Sequence, residues 1–233
     1  MRRRFEPTDL ELKPSGVAEV DVQFGAVRGD TNTRIYAPDF ECSLGISSST
    51  ELAIDGSFGI DGASSPSFLD NTWVALRVGV FDVHDENKPK ASWAGGIQAG
   101  PHLPTSPGAT GLGLEGLAIV GRTDGPFHLF AQAGVIVDSA EKNEFLRPIR
   151  PFGIEGGFDA SLDLDDDGIW SLTAELGGTR FFSSHDHQLH TTGGVAWQVT
   201  PWLELSTIAI VGLLPEGDRF GLLFGASPSF RVF

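Results

Sequence analysis

The stretch Val17-Ala18-Glu19-Val20-Asp21-Val22-Gln23-Phe24-Gly25-Ala26-Val27 sets apolar side chains two residues apart, at Val20, Val22, Phe24 and Ala26, with Glu19, Asp21 and Gln23 between them. Successive side chains of a β-strand point to opposite faces, so this period describes a strand with one apolar and one polar face. The same spacing returns at Phe40, Leu44 and Ile46, at Leu52, Ile54, Phe58 and Ile60, and onward to the C-terminus, with no competing helical period. Whichever solvent touches the apolar face decides what the molecule is.

Alternation predicts twelve strands, near Val17–Val27, Tyr36–Ile46, Glu51–Asp61, Trp73–Phe81, Ser92–Gly100, Gly111–Gly121, Phe127–Val137, Phe152–Leu162, Ile169–Phe181, Leu189–Val199, Trp202–Leu213 and Phe220–Val232. Most approach the roughly 9–11 residues with which a tilted strand crosses a bilayer. An even number places both chain ends on one side and sorts the turns into two rims. One rim carries Ser47–Thr50, Arg122–Pro126, Asp163–Gly168 and Thr200-Pro201, compact and rich in Gly, Pro, Asp and Ser. The other carries Gly62 to Thr72, Pro101 to Thr110, Asp138 to Pro151 and Ser183 to Gln188, which are longer. Short turns on one side and long loops on the other is the layout of an outer-membrane barrel. Two segments run against it: Asp82 to Ala91 is long on the short side, and Pro215–Asp218 is short on the long side.

At 233 residues the chain fits one all-β domain. A net charge of -15 excludes nucleic acid as a partner and favours cations. The single cysteine, Cys42, rules out an internal disulfide framework. No apolar run reaches the about 20 residues of a membrane-spanning helix. Met1-Arg2-Arg3-Arg4 has the look of an export signal, but Phe5-Glu6-Pro7-Thr8-Asp9 stands where its apolar core belongs, so no signal peptide is read in this chain. The expected organisation is a periplasmic tail over 1–16 and a transmembrane barrel over 17–233.

The two faces supply the orientation. One parity reads Val74, Leu76, Val78 and Val80, then Leu112, Leu114, Ala118 and Val120, then Phe127, Leu129, Ala131, Ala133, Val135 and Val137. The opposite parity carries Glu19, Asp21, Asp39, Glu41, Glu51, Asp55, Arg77, Glu115, Glu155, Asp159, Glu175 and Glu204, padded with Gly, Ser and Ala. Lys13, Lys88, Lys90 and Lys142 all fall outside the strands, whereas a soluble sheet protects its exposed faces and edges with Lys. Trp93, Trp170, Trp197 and Trp202 fall at strand ends beside the short-turn rim, where an interfacial aromatic girdle sits. These features favour an all-β, twelve-stranded antiparallel up-and-down transmembrane β-barrel over a soluble lipocalin-like ligand-binding barrel.

Phe5-Glu6-Pro7-Thr8-Asp9-Leu10-Glu11-Leu12 before an acidic first strand, and the hairpin of Asp39–Ile46 with Glu51–Gly56, resemble the bacterial outer-membrane proteins named for a meta-pathway of phenol degradation. The resemblance implies a small transporter-like barrel with a link to uptake of aromatic or other small compounds, and it assigns no binding residue. Barrels of this kind end on an aromatic that serves the barrel-assembly machinery during insertion, and Phe233 fits. Its parity sets it with Arg231 and Ser229 instead of Phe230 and Val232, so a bulge at Pro228 is expected to restore the register.

Few constellations point to chemistry. Asp163-Leu-Asp165-Asp-Asp167-Gly168 begins like a calcium loop, but the closing acid falls at Glu175, one place late, so an acidic turn is expected. His185, His187 and His190 could share a metal only with further ligands at fixed geometry, and a polar surface loop is expected instead. Near His128 the sequence offers no Ser, and no Gly-x-Ser-x-Gly, phosphate loop or His-Glu-x-x-His occurs, so neither enzyme nor cofactor is expected. Trp73 with Pro66-Ser67-Phe68-Leu69 could form an aromatic mouth for an apolar solute, but such residues are expected to anchor the outer interface or pack a loop into the barrel.

The reading that follows is a bacterial outer-membrane channel, seated in lipid, that passes small molecules or cations. Its lumen is lined by Glu19, Asp21, Asp39, Glu41, Asp55, Arg77, Glu115, Glu155, Asp159, Glu175 and Glu204. A structural or plugged barrel without transport is the competing membrane reading.

Overall fold

The computed structural model describes residues 12–29, 33–61, 67–69, 71–85, 88–106, 109–137, 141–142, 148–149, 152–182, 187–214 and 218–233. The alternating runs become barrel strands β1 (Val17–Gly29), β2 (Thr33–Ser47), β3 (Thr50–Asp61), β4 (Trp73–Asp85), β5 (Lys88–His102) and β6 (Gly113–Asp124). The second half supplies β7 (Phe127–Val137), β8 (Phe152–Asp163), β9 (Trp170–Phe181), β10 (Gln188–Thr200), β11 (Leu203–Gly212) and β12 (Asp218–Arg231). Each strand pairs antiparallel with its sequence neighbours, and β1 pairs with β12 from Val17↔Arg231 to Gly29↔Asp218, which closes a twelve-stranded barrel. Closure satisfies both hydrogen-bonding edges of every strand, as a sheet in hydrocarbon must. A short strand, Ser67–Leu69, pairs beside the loop-side end of β3, and Glu141–Lys142 pairs with Pro148–Ile149 as a separate ladder.

The rim that carries the chain termini is built from short connections throughout. The segment Asp82 to Ala91, expected to be a long exception, is mostly paired strand: His84 lies opposite Ser92 and Asp85 opposite Lys88. The opposite rim carries the long excursions between β3 and β4, β5 and β6, and β7 and β8.

Exposure follows the alternation. Val80 is 64 %, Leu114 61 % and Phe158 60 % exposed, whereas Asp21 is 6 %, Glu41 7 % and Glu51 0 % exposed. The apolar residues therefore cover the outside, in a band far larger than the few hundred Å² of contiguous apolar surface that a soluble monomer tolerates. Hydrocarbon is the solvent that makes this arrangement stable. Trp93, Trp170, Trp197 and Trp202 are exposed on the termini-side half of this outer surface. Trp170 and Trp197, directly opposite across β9 and β10, stack with centroids 5.3 Å apart, and the Arg122 guanidinium lies 5.3 Å over the Trp93 ring. Aromatic faces and a cation at the rim suit the headgroup level, where apolar body and polar tip are both solvated.

At the closure, Gly16 takes φ +79, donates its N–H to Gly45 O and accepts from Val232 N. Any side chain there would collide with the backbone of Phe233. The β1–β12 ladder runs without a shift past Pro228, so the bulge expected there is absent. The parity conflict at Phe233 dissolves differently: β12 ends at Arg231, and Phe233, beyond it and 67 % exposed, no longer obeys the strand's alternation.

Candidate functional site

The inner wall is organised by cross-strand rows. Asp21 of β1 lies opposite Glu41 of β2, which lies opposite Asp55 of β3, so the pleat lines three carboxylates side by side. Asp39 and Glu51 flank the row, and all five are buried. Directly opposed like charges destabilise a sheet, so this wall needs a cation. Arg77, facing inward from the adjacent β4, supplies it: Nη1 reaches Glu51 Oε1 at 2.8 Å, Nη2 reaches Glu41 Oε1 at 3.6 Å, and Nε donates to Gln98 Oε1 at 3.3 Å. A planar guanidinium that engages acceptors on three neighbouring strands also fixes their register.

Glu115 of β6 makes a second buried pair. Its Oε2 lies 2.7 Å from His102 Nε2, and the His102 ring stacks on Trp73 at 5.8 Å and 11°. Trp73 is 4 % exposed and donates Nε1–H to Gly100 O at 3.2 Å. It packs inside the barrel and does not anchor the membrane interface. Its parity with Arg77 already carries that signal.

Farther round, Asp159 of β8 stands opposite Glu175 of β9, and His190 Nε2 of β10 lies 3.4 Å from Glu175 Oε1. Glu155, half-buried, shares the inward parity of Asp159 on β8, and Glu204 lines the termini-side cavity on β11. His185 lies outside the described residues. His190 engages Glu175, and among the described residues no group of three His, Cys, Asp or Glu side chains is arranged to hold a metal. The Asp163–Asp167 segment is a turn fastened by Asp165. Its Oδ1 accepts from Ile169 N at 2.8 Å and Asp167 N at 3.2 Å, and its Oδ2 accepts from Trp170 N at 2.9 Å. The Ile169 amide first, and then the Trp170, Asp167 and Gly168 amides, hold this exposed carboxyl below its ordinary value against an opposing desolvation.

Two features of the bore escaped the strand pattern. The first is apolar filling. Val27, Tyr36, Ile208, Ile210 and Leu223 form one buried cluster in the loop-side half, and Trp73, Ala75, Leu117 and Ile119 form another. Each residue except Tyr36 lies on its strand's polar parity. Tyr36 turns inward because the β2–β3 register shifts between Tyr36 and Asp39, around Pro38. The second is a contact at His128: Thr123 Oγ1 lies 3.1 Å from Nδ1 and Asp163 Oδ2 lies 3.3 Å from Nε2. Ser161 also stands directly opposite His128 in the β7–β8 ladder, so the expectation of no Ser near His128 is overturned. These side chains face the interior cavity.

The filling is one-sided. At the level where Arg77, Gln98, Leu117, Ile208 and Leu223 crowd the bore, the wall of β8 to β10 presents Gly157, Gly177 and Gly194 among Glu155, Thr173, Glu175 and His190. Glu155, Thr173, Glu175 and His190 are half-buried there, between Asp159 at 2 % and Thr192 at 4 % exposure. On the termini side the bore opens into a cavity of about 590 Å³. Glu19, Asp21, Glu41 and Arg77 line it from β1, β2 and β4, and Ser161, Ser171, Thr173, Ser206, Ser227 and Ser229 from β8, β9, β11 and β12.

Comparison with solved structures places this fold. The NanC porin superposes with a TM-score of 0.63 at 8 % identity, covering 90 % of this chain and 98 % of the porin. A structure described under "Unveiling the Mechanism Behind the in-meso Crystallization of Membrane Proteins" gives 0.50 at 12 % identity, covering 93 % and 83 %. No family model and no curated protein matches, so the resemblance to the phenol meta-pathway proteins gains no support from either comparison. What the chain shares with the porin is the architecture, a closed antiparallel barrel of the outer-membrane type.

Proposed function

We propose that this chain is a non-enzymatic channel of the bacterial outer membrane that passes small solutes and prefers cations. In this reading its partners are outer-membrane lipid, the solute and, during insertion, the barrel-assembly machinery. The supporting observation is the imbalance of charge on the inner wall. Glu19, Asp21, Asp39, Glu41, Glu51, Asp55, Glu115, Glu155, Asp159, Glu175 and Glu204 face Arg34, Arg77, Lys13 and the histidines. Fixed charge of one sign along a narrow bore selects ions by sign before it selects them by size. The solute enters the termini-side cavity and follows the Gly- and Thr-lined wall of β8 to β10, which neither apolar cluster covers. Small aromatic compounds are the class to assay first, on the resemblance to the phenol meta-pathway barrels.

The two apolar clusters favour a second reading, a barrel plugged by its own side chains that serves a structural role. Planar-bilayer recording separates them. The channel reading expects single-channel steps and, under a potassium chloride gradient, a reversal potential displaced toward the potassium equilibrium value. A displacement toward chloride overturns the selectivity, and a barrel that inserts but passes neither ions nor small sugars in liposome swelling leaves the plugged reading.

A further inference from the structure

Leu12–Gly16 do not hang clear of the barrel. The Lys13 amide donates to Glu51 Oε2 at 2.7 Å, and Lys13 Nζ lies 2.8 Å from Glu19 Oε1. Gly16 N donates to Gly45 O at 2.8 Å, and Val17 N closes the turn on Pro14 O at 2.9 Å. Gly45 has no space for a side chain, because the Lys13 and Pro14 carbonyls occupy the volume that a Cβ would take. A Cβ on Gly79 would meet Leu12 Cδ1 at 3.3 Å. Two glycines on the inner walls of β2 and β4 thus make a groove, and a strap of chain lies in it, inside the termini-side mouth. Lys13 lines the cavity there beside Glu19, Asp21 and Glu41.

We propose that Lys13 is a selectivity-determining residue, a tethered cation that occupies the acidic mouth of the bore in competition with entering cations. The strap is anchored by its backbone: Glu51, wholly buried, accepts the Lys13 amide and the Arg77 guanidinium on separate oxygens. The ammonium pairs with Glu19, and with the Lys13 side chain 29 % and the Glu19 side chain 18 % exposed the pair borders the termini-side cavity, where an incoming cation can exchange for it. A partly hydrated carboxylate site with a built-in competitor admits cations while keeping their affinity low enough for release, the balance that conduction requires.

This inference rests on the channel reading, and the test separates the two. In a Cys42→Ser background, Leu12→Cys with Gly79→Cys is expected to cross-link through a short bifunctional thiol reagent in the folded barrel and not in urea. Lys13→Gln is expected to raise the cation-to-anion permeability ratio by about twofold or more, and Lys13→Arg to restore it. A conducting barrel whose ratio is unchanged by Lys13→Gln, or a folded barrel that does not cross-link, overturns the inference alone. Silence of the wild type and of Lys13→Gln in bilayers removes the channel reading and the selectivity role with it, whereas the cross-link still records the place of the strap.

Discussion

Replacing Arg77 with methionine keeps the length and apolar stem of the side chain and deletes the charge that the β1–β3 carboxylates share. Arg77 is 6 % exposed, and the oxygen it holds at 2.8 Å belongs to a glutamate with no exposure at all. Loss of that charge-assisted hydrogen bond accounts for about 1.5–3 kcal/mol. The longer contacts to Glu41 and Gln98 contribute less, but their loss leaves Glu41 and Glu51 buried near Asp21 and Asp55 without the guanidinium. Breaking a buried pair from one side costs about 3–5 kcal/mol in total. The amide of Lys13 still serves Glu51 Oε2, which places the expected loss for Arg77→Met near the lower end, about 3 kcal/mol. The assay is urea unfolding of barrel refolded into phospholipid vesicles, followed by tryptophan fluorescence. Glu51→Gln and the double variant complete a cycle, in which the pair should show about 1–3 kcal/mol of coupling, because residues in direct contact do not add. A loss below about 1 kcal/mol for Arg77→Met, with additivity within about 0.5 kcal/mol, would refute the claim that this guanidinium holds the acidic wall together.

Two further outcomes follow from the outer surface and the turns. Phe158→Arg, at the middle of β8 and facing outward, should cost about 2–4 kcal/mol of folding free energy in vesicles, whereas Leu164→Arg, beyond its termini-side end, should cost about 0–1 kcal/mol; equal costs would deny the lipid orientation. Asp165 should titrate below its ordinary 3.8, read from its side-chain carboxyl carbon by NMR. A depressed folded value means that the ionised carboxylate favours the turn above the unfolded value near 3.9, and that this contribution is lost as pH falls through the folded value. A midpoint at or above 3.8 contradicts the amide cradle.

The strands were legible because a barrel wall one strand thick leaves each residue with only two destinations, lipid or bore, and period two records the choice directly. The span Phe127–Val137 is the same in sequence and structure, and the outward positions Leu76, Leu129 and Val135 follow from parity alone. Parity fails wherever the ladder slips. Shifts at Tyr36/Asp39 and at Gly79/Phe81 send Tyr36 inward and place Asp82 and His84 on the cavity wall, and no residue type in those stretches announces the slip except Pro38. The partners of the site residues were less legible still. Arg77 meets Glu51 from the adjacent strand, but the tail residue Lys13 meets Glu19 and Glu51 only because Gly45 and Gly79 leave a groove, which is a fact about packing. Trp73 sits at a strand end, where a tryptophan suits either the membrane interface or the bore, and only the parity that it shares with Arg77 distinguishes the two.

The larger apolar cluster explains why a bore that is otherwise polar tolerates apolar filling. Val27 and Tyr36 come from β1 and β2, Ile208, Ile210 and Leu223 from β11 and β12, so the cluster straddles the seam where the first and last strands meet. That seam joins segments separated by almost the whole chain, and the entropy of bringing them together is the largest closure cost in the fold. Burying such side chains, at about 1.5–3 kcal/mol each, offsets that cost at the place where it falls. The cluster therefore acts as a latch on the barrel. With β11, β12, β1 and β2 braced by packing and β3 to β6 by Arg77 and the Trp73–His102–Glu115 stack, the strands with neither brace are β7 to β10. Glycines at 157, 177 and 194 keep that wall low, and Glu155, Glu175 and His190 give it charge. In the proposed channel, closure and passage thus fall to different strands of one cylinder.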